Sequence, residues 1–352
     1  MNPRRTIALE DVADVESQLR AIEREGGDGE LRITRSTTLS VSSLGKNFFG
    51  SGATKGALMR YYARIWPVLK AHVKDRPLVL KRYPDGADGP MFYQQNVGAR
   101  VPDGVRVETV DTSEGGGKPR VVGGDLLTLL YTVQLGAIEV HPWLSRVIDD
   151  DAADQCLIDL DPGDGVPFSA VVALARDVLH IVRQSGLTAA AKTSGSSGIH
   201  LVIPLPAKTT YETSAMLALL VARRVVAQRP LRATLERSLR GRPTGTIYVD
   251  AMQNARGKSM VCAYSVRATP GATVSAPLRA AELTTRLSNS AFSLKSMPAR
   301  VARYGDVWGE ALSTRVTRPV LAKALKALEK AQDDMPEAQE PPRRQNRSRT
   351  GR

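Results

Sequence analysis

The sequence has little of several things, and each scarcity removes a class of protein. Cysteine occurs only twice in 352 residues, at Cys156 and Cys262. A disulfide framework is therefore excluded, and both thiols, set in apolar strand-like stretches, are expected to be free and buried. Four histidines, none at a ligand spacing, offer no zinc site. No run approaches the roughly 20 apolar residues of a membrane span, and Met1-Asn2-Pro3-Arg4-Arg5 leads into no signal-like stretch, so a cytoplasmic protein with no membrane partner is expected. Aromatic residues make up only 5% of the chain, which makes two adjacent ones worth locating.

What is abundant is positive charge. Lys and Arg number 49 against 36 Asp and Glu, a net +13. Such an excess draws polyanions, with nucleic acid the default partner. Part of it sits in a tail, since Arg343, Arg344, Arg347, Arg349 and Arg352 crowd the last ten positions. An apolar content of 42% at this length allows one large or two modest domains with an ample core.

The organising stretch is Cys156-Leu157-Ile158-Asp159-Leu160-Asp161-Pro162-Gly163. On a strand, Asp159 and Asp161 point to one face and Leu160 to the other. Two acids on one rim can share a metal ion, although an isolated Asp-x-Asp is as readily a polar strand end. Pro162-Gly163 ends the strand, and Ser169 is placed to cap a helix running to about Gln184. A Ser/Gly loop, Ser194-Gly195-Ser196-Ser197-Gly198, follows between apolar segments and leads into a strand from His200 to Leu205. It lacks Walker spacing, yet its small residues let backbone N–H groups approach a phosphate, with Ser194 and His200 as side-chain donors. Thr246-Ile247-Tyr248-Val249-Asp250 then brings a third acid to a strand end. Three carboxylates can hold two divalent ions about 4 Å apart, and oxygen ligands suit Mg²⁺ or Mn²⁺.

Other segments supply candidates for binding. Residues 1–35 mix charge and Gly around one helix, Glu10 to Arg24, and are expected to be a partly mobile extension. Thr54-Lys55-Gly56 opens a helix, where a first-turn lysine opposes the dipole and is a candidate anion contact. Pro77 to Arg82 reads as a strand with a basic end, and in Met91-Phe92-Tyr93-Gln94 one ring should be core and the other a stacking surface. A hairpin is expected between Gly104 and Gly124, a helix over Leu126–Gly136 and a strand ending at His141-Pro142. Another strand covers Leu187–Thr193, and a long helix covers Tyr211–Gln228. Met260–Arg267 and Ala272–Ser275 read as a hairpin about Pro270-Gly271, and Leu321–Ala331 has helical spacing.

Taken in order, Asp159-Leu160-Asp161-Pro162-Gly163, Thr193-Ser194-Gly195-Ser196-Ser197-Gly198-Ile199-His200, and Asp250 through Ser265-Val266-Arg267-Ala268 resemble the three motifs of the archaeo-eukaryotic primase superfamily. The likeness is to the polymerase domain of bacterial DNA ligase D, and runs from about Leu39 to Trp308. It takes in Lys81-Arg82-Tyr83-Pro84-Asp85-Gly86, His141-Pro142-Trp143 and the Asn254-Ala255-Arg256-Gly257 loop. The resemblance implies a mixed α/β (α+β) catalytic core whose central, mostly antiparallel sheet is flanked by helices. It also implies template-directed addition of NTPs or dNTPs to primer 3′ ends, filling gaps in non-homologous end joining. Asp159, Asp161 and Asp250 would be catalytic and bind two Mn²⁺ or Mg²⁺ ions. Ser194, His200, His141 and Arg267 would hold the nucleotide, and Lys46, Lys55 and Lys81 a DNA 5′-phosphate. Phe92 and Tyr93 would stack on template bases, and Ku would be a partner.

Three positions depart from the family pattern, one being Tyr93, since the usual aromatic pair is Phe-Phe, a change that should preserve stacking. Ser43 stands where Asn is frequent, which weakens one phosphate contact, and Gln253 where some members carry Arg. Lys81 lies four residues before Asp85, so the Lys-x-Asp-Gly nucleophile of ATP-dependent ligases is not formed there. The expected organisation is an extension over 1–35, a primase-polymerase domain over 36–312, a C-terminal helix over 313–335 and a basic disordered tail over 336–352. It would be a stand-alone monomeric polymerase working with a separate ligase. Two competing readings remain: a noncatalytic nucleic-acid-binding protein with a degenerate primase fold, and a phosphohydrolase using Asp159 as nucleophile. The second is disfavoured by Gly163, since those enzymes usually carry Thr or Val there.

Overall fold

The computed structural model describes residues 9–50, 52–98, 100–111 and 116–333, with only the backbone described at 9–11 and 333. Helix α1 (Leu9–Arg24) and the hairpin of β1 (Gly29–Thr34) and β2 (Thr37–Val41) come first. Val12, Val15, Leu19 and Ile22 recur at helical spacing and are buried with Leu31 and Ile33. Val15, Leu19, Ile22, Leu31 and Ile33 share one core with helix α2 (Lys55–Val73), so the expected boundary at residue 35 falls at no break in the packing. Ion pairs Glu16–Arg64 and Glu23–Arg60 add links between α1 and α2. Helix α2 begins where Thr54 Oγ1 accepts the Ala57 N–H at 3.0 Å, a side-chain N-cap.

A small antiparallel sheet follows, in the order β4 (Phe92–Gln94), β3 (Leu78–Arg82), β7 (Ala137–Pro142). The expected hairpin is β5 (Val107–Asp111) with β6 (Gly117–Val121), and helix α3 (Leu126–Gln134) is capped by Asp125. A short hairpin of β8 (Ser145–Arg146) and β9 (Asp149–Ala153) leads into the central sheet.

That sheet has six strands, ordered β13, β14, β10, β12, β11, β15. They are β10 (Gln155–Pro162), β11 (Ala190–Thr193), β12 (Ile199–Pro204), β13 (Ala233–Thr234), β14 (Ile247–Asp250) and β15 (Pro277–Leu278). Every pairing is antiparallel except β13 with β14. Helices α4 (Phe168–Gln184) and α5 (Tyr211–Gln228) pack on β10. Cys156 Sγ lies 3.4 Å from the Ser214 carbonyl of α5, so Cys156, Ile158 and Leu160 face the helices and Asp159 and Asp161 face away. Helices α6 (Met297–Tyr304), α7 (Val307–Leu312) and α8 (Arg318–Asp333) close the chain, α8 lying on α5 through Leu321, Ala324 and Leu328. The architecture is the mixed α/β core with a largely antiparallel central sheet that the resemblance implies. The basic tail expected over 336–352 lies outside the described residues.

Three local expectations need correction. Ser169 is not the cap of α4, which starts at Phe168 behind Pro167 with no side-chain cap bond. The strand expected from Leu187 is confined to Ala190–Thr193. The hairpin about Pro270-Gly271 is kept only over Tyr264–Arg267 and Thr273–Ser275, where Tyr264 N–H meets the Ser275 carbonyl at 2.8 Å, Ser275 N–H the Ser265 carbonyl at 2.9 Å and Arg267 N–H the Thr273 carbonyl at 2.8 Å, with Val266 bridging Val274. Upstream, the backbone bonds go elsewhere, Cys262 N–H donating to Val140 O of β7 at 2.8 Å. Tyr264, with φ at 67°, breaks the extended run between the two parts.

Candidate active site

Strand register assembles the catalytic candidates. Asp159 is paired with Asp250 across β10 and β14 and with His200 across β10 and β12, and His200 is paired with Lys192 across β12 and β11. Directly opposed residues share a face and lie about 5 Å apart at Cβ. The result is a row, Asp250, Asp159, His200, Lys192, crossing four strands on the face turned from α4 and α5. Asp161 stands two residues along β10 on the same face.

The electrostatics of that row are tense. Burial, and then the negative charges of Asp250 and Asp161, push the Asp159 carboxyl up to about 7 against the pull of Lys192 and Arg267. Burial, Lys192, Arg267 and His141 hold the His200 imidazole well below its usual range and therefore neutral. Its Nε2 lies 3.4 Å from Asp159 Oδ1. Asp250 accepts from Met252 N–H at 2.7 Å and from the Gln253 amide at 2.9 Å, so the departing Gln253 is tied to an acid. Asp161 meets Arg242 at 3.1 Å, whose guanidinium lies 4.7 Å from the Tyr248 ring centre. With their oxygens turned to these partners, the acids do not form a closed cage; among the described residues no group of three or more His, Cys, Asp and Glu does. The donor set nevertheless fits a divalent cation, because three oxygen-bearing acids are crowded enough to raise one pKa, and a cation relieves that repulsion.

The Ser/Gly loop joins β11 to β12 beside this row. Ser194 Oγ accepts N–H bonds from Ser196 at 3.1 Å and Gly198 at 3.0 Å, leaving its own O–H to donate. A Cβ on Gly198 would stand 2.4 Å from the Leu160 carbonyl, so only glycine lets the loop lie against β10. Gly195 adopts φ of 73° and is packed against Arg267.

A cleft of about 920 Å³ opens between the two sheets, lined among others by Asp159, His200, His141, Arg267, Gln253 and Tyr93. On its small-sheet side a buried acid that sequence reasoning missed, Glu139, gathers His141 and two cations, Arg267 and Lys81. Its Oε2 accepts from His141 Nε2 at 2.9 Å and lies 3.2 Å from Arg267 Nε. Its Oε1 is 3.3 Å from each of Lys81 Nζ, Tyr83 Oη and Ala268 N. Burial pushes this carboxyl up, but His141, Arg267 and Lys81 outweigh it and hold it below the ordinary carboxylate range. Arg267 Nη1 reaches on to the Ser194 carbonyl at 2.8 Å, tying the two sides of the cleft together. The one signal available in sequence was alternation, which puts Glu139 and His141 on one face of β7.

The phosphate candidates divide. Lys46 Nζ is bound to Pro84 O at 2.7 Å and Asp85 Oδ1 at 2.9 Å, and Lys55 Nζ to Ser42 O at 2.9 Å. Burial, then the charge of Lys46, lowers the Lys55 amine to about 8 against Asp28. Lys81, expected with them, is instead tied to Glu139 in the His141 and Arg267 cluster. Ser43 has φ of 58°, a left-handed conformation that Asn tolerates better than Ser. Phe92 and Tyr93 are both exposed, at 45% and 55%, so neither ring is core; β4 is a three-residue edge strand with no layer over either face. Arg82 lies 5.0 Å from the Phe92 ring centre.

Several known proteins are similar to this chain. The multifunctional non-homologous end joining protein LigD of Pseudomonas aeruginosa is 31% identical over 265 residues, 75% of this chain and 31% of that protein. The LigD of Mycobacterium tuberculosis is 32% identical over 293 residues, 80% of this chain and 37% of that protein. The chain thus spans about a third of the length of these relatives. A solved structure, the polymerase domain from Mycobacterium tuberculosis ligase D in complex with DNA, matches with a TM-score of 0.73 and 28% identity, covering 79% of this chain and 99% of that one. No helix among the described residues is long and apolar enough to cross a membrane. Residues 54–308 match the LigD primase-polymerase domain, and the chain belongs to that family of nucleotidyltransferases.

Proposed function

We propose that this protein is a template-directed polymerase that extends a primer 3′ end across a gap or broken DNA end with NTPs or dNTPs, in non-homologous end joining. The observation that carries the reading is the row of Asp250, Asp159 and His200 across adjacent strands, of which Asp159 and His200 line a cleft whose other wall presents His141 and Arg267. Asp159, Asp161 and Asp250 would hold two Mn²⁺ or Mg²⁺ ions, which supply a more acidic primer hydroxyl and charge neutralisation on the leaving pyrophosphate.

The chain's own residues bind and orient. Ser194 Oγ–H, His200 Nε2–H and the Arg267 guanidinium line up to receive the triphosphate, His141 and Lys81 approach from the small sheet, and Phe92 and Tyr93 offer exposed faces to template bases. Lys46 and Lys55 would take the 5′-phosphate on the far side of the gap. Ku and a separate ligase, which would join the filled gap, are the proposed partners.

The test is extension of a fluorescent primer on a gapped duplex, with either nucleotide class, Mn²⁺ or Mg²⁺, and with or without the downstream 5′-phosphate. Metal-dependent extension is expected, stimulated by the phosphate, and lost on the order of a thousandfold or more in Asp159→Ala while DNA binding persists. Binding without extension under every condition would replace this reading by that of a noncatalytic binder.

A further inference from the structure

Lys192 is fully buried, and the reading above gives it no task. Burying an amine is expensive unless it is paired and hydrogen-bonded. Among the described residues no carboxylate lies within ion-pair distance of it. Its partners are His200 Nδ1 at 2.7 Å and Ser275 Oγ at 2.7 Å. The Ser275 hydroxyl donates to the Thr193 carbonyl at 2.8 Å, so its oxygen is an acceptor for Lys192. A lysine ammonium has three donors and no acceptor; His200 Nδ1 must therefore present its lone pair to Lys192. In a neutral imidazole the other nitrogen then carries the proton.

We propose that Lys192 is a positioning residue whose buried amine occupies His200 Nδ1, holds the ring as the Nε2–H tautomer, and so aims a fixed N–H donor into the cleft. The strand register makes this possible, since Lys192 and His200 are directly opposed on β11 and β12 as His200 and Asp159 are on β12 and β10. Burial lowers the amine to about 7, so it is the ammonium form that fixes the tautomer, and Asp159 Oδ1, 3.4 Å from His200 Nε2, gives the Nε2–H an acceptor. An apolar residue would fill this position at less cost, which is what makes a purely structural lysine a poor account of it. The consequence for nucleotide binding rests on the proposed role of His200; the tautomer is a property of the free protein.

The experiment reads the two separately. Two-bond ¹H–¹⁵N correlation on ¹⁵N-histidine-labelled full-length protein, with only four histidines to assign, reports each ring's tautomer. Wild type is expected to show His200 unprotonated at Nδ1 and protonated at Nε2, and Lys192→Met to shift the ring toward a mixture or the Nδ1–H form. Primer extension by Lys192→Met is expected to raise KM for the nucleoside triphosphate about tenfold, with a smaller change in kcat, and to add no further loss to His200→Ala. An Nδ1–H tautomer in wild type overturns the proposal even if the variant does not fold, and so does an unaltered tautomer in Lys192→Met. A tautomer that shifts while KM stays put supports the positioning and removes His200 from the nucleotide contacts.

Discussion

The two walls of the cleft are built by different physics. On the central sheet, Asp250, Asp159, His200 and Lys192 are neighbours because register makes them so; their charges are poorly matched, and Asp159 is driven up to about 7. On the small-sheet side, His141, Arg267 and Lys81 come from β7, an irregular loop and β3, and one buried acid, Glu139, draws them together. The first wall is held by backbone pairing and tolerates electrostatic strain among its acids, which a divalent cation would relieve. The second is held by charge and has no such slack. Function should therefore fail without unfolding on one side, and function and stability should fail together on the other.

The largest effect breaks the comparison at its strained wall. Asp159→Asn should lower extension by about three orders of magnitude, while the urea unfolding midpoint stays level or rises because like-charge repulsion is removed. A marked loss of stability would mean that the acid is structural. Next, Glu139→Gln leaves the Arg267 and Lys81 cations around a buried neutral amide and should cost about 3 kcal/mol of stability, together with a raised nucleotide KM. Urea denaturation and steady-state extension on one preparation would read both, and an unchanged midpoint would refute the charge-held account of this wall.

A third, intermediate effect sharpens the comparison at Lys55. Its amine, lowered to about 8, is charged below that pH and neutral above it, so stimulation of extension by a downstream 5′-phosphate should decline as pH rises through 8. Lys55→Gln should remove most of the stimulation, about tenfold, and flatten the profile; a profile still falling in the variant would assign the titration elsewhere. The smallest effect concerns the rim. Phe92→Ala and Tyr93→Ala remove exposed rings, each worth about 1–3 kcal/mol of base stacking, and should weaken single-stranded template binding by fluorescence anisotropy without moving the unfolding midpoint.

Much of this was legible from residue order. The acids at Asp159, Asp161 and Asp250, the Ser/Gly loop and most helices follow from alternation, turn residues and helical spacing, each local in the chain. Glu139 escaped notice because a carboxylate in an apolar strand carries no sign of the cations that will surround it. Phe92 and Tyr93 were misjudged because alternation says that two neighbours face apart, and says nothing of whether a second layer covers either face. The family resemblance groups Lys81 with Lys46 and Lys55, whereas pairing of β3 with β7 delivers it to Glu139.

The sequence by itself determined the chemistry available to this protein: carboxylates at strand ends, small residues for phosphate approach, and a basic surface for nucleic acid. Tertiary structure alone decided which of those groups meet. A row across four strands depends on pairings between residues as much as 91 positions apart (Asp159 with Asp250), and a buried acid acquires its function only from the charges that folding brings within hydrogen-bond distance.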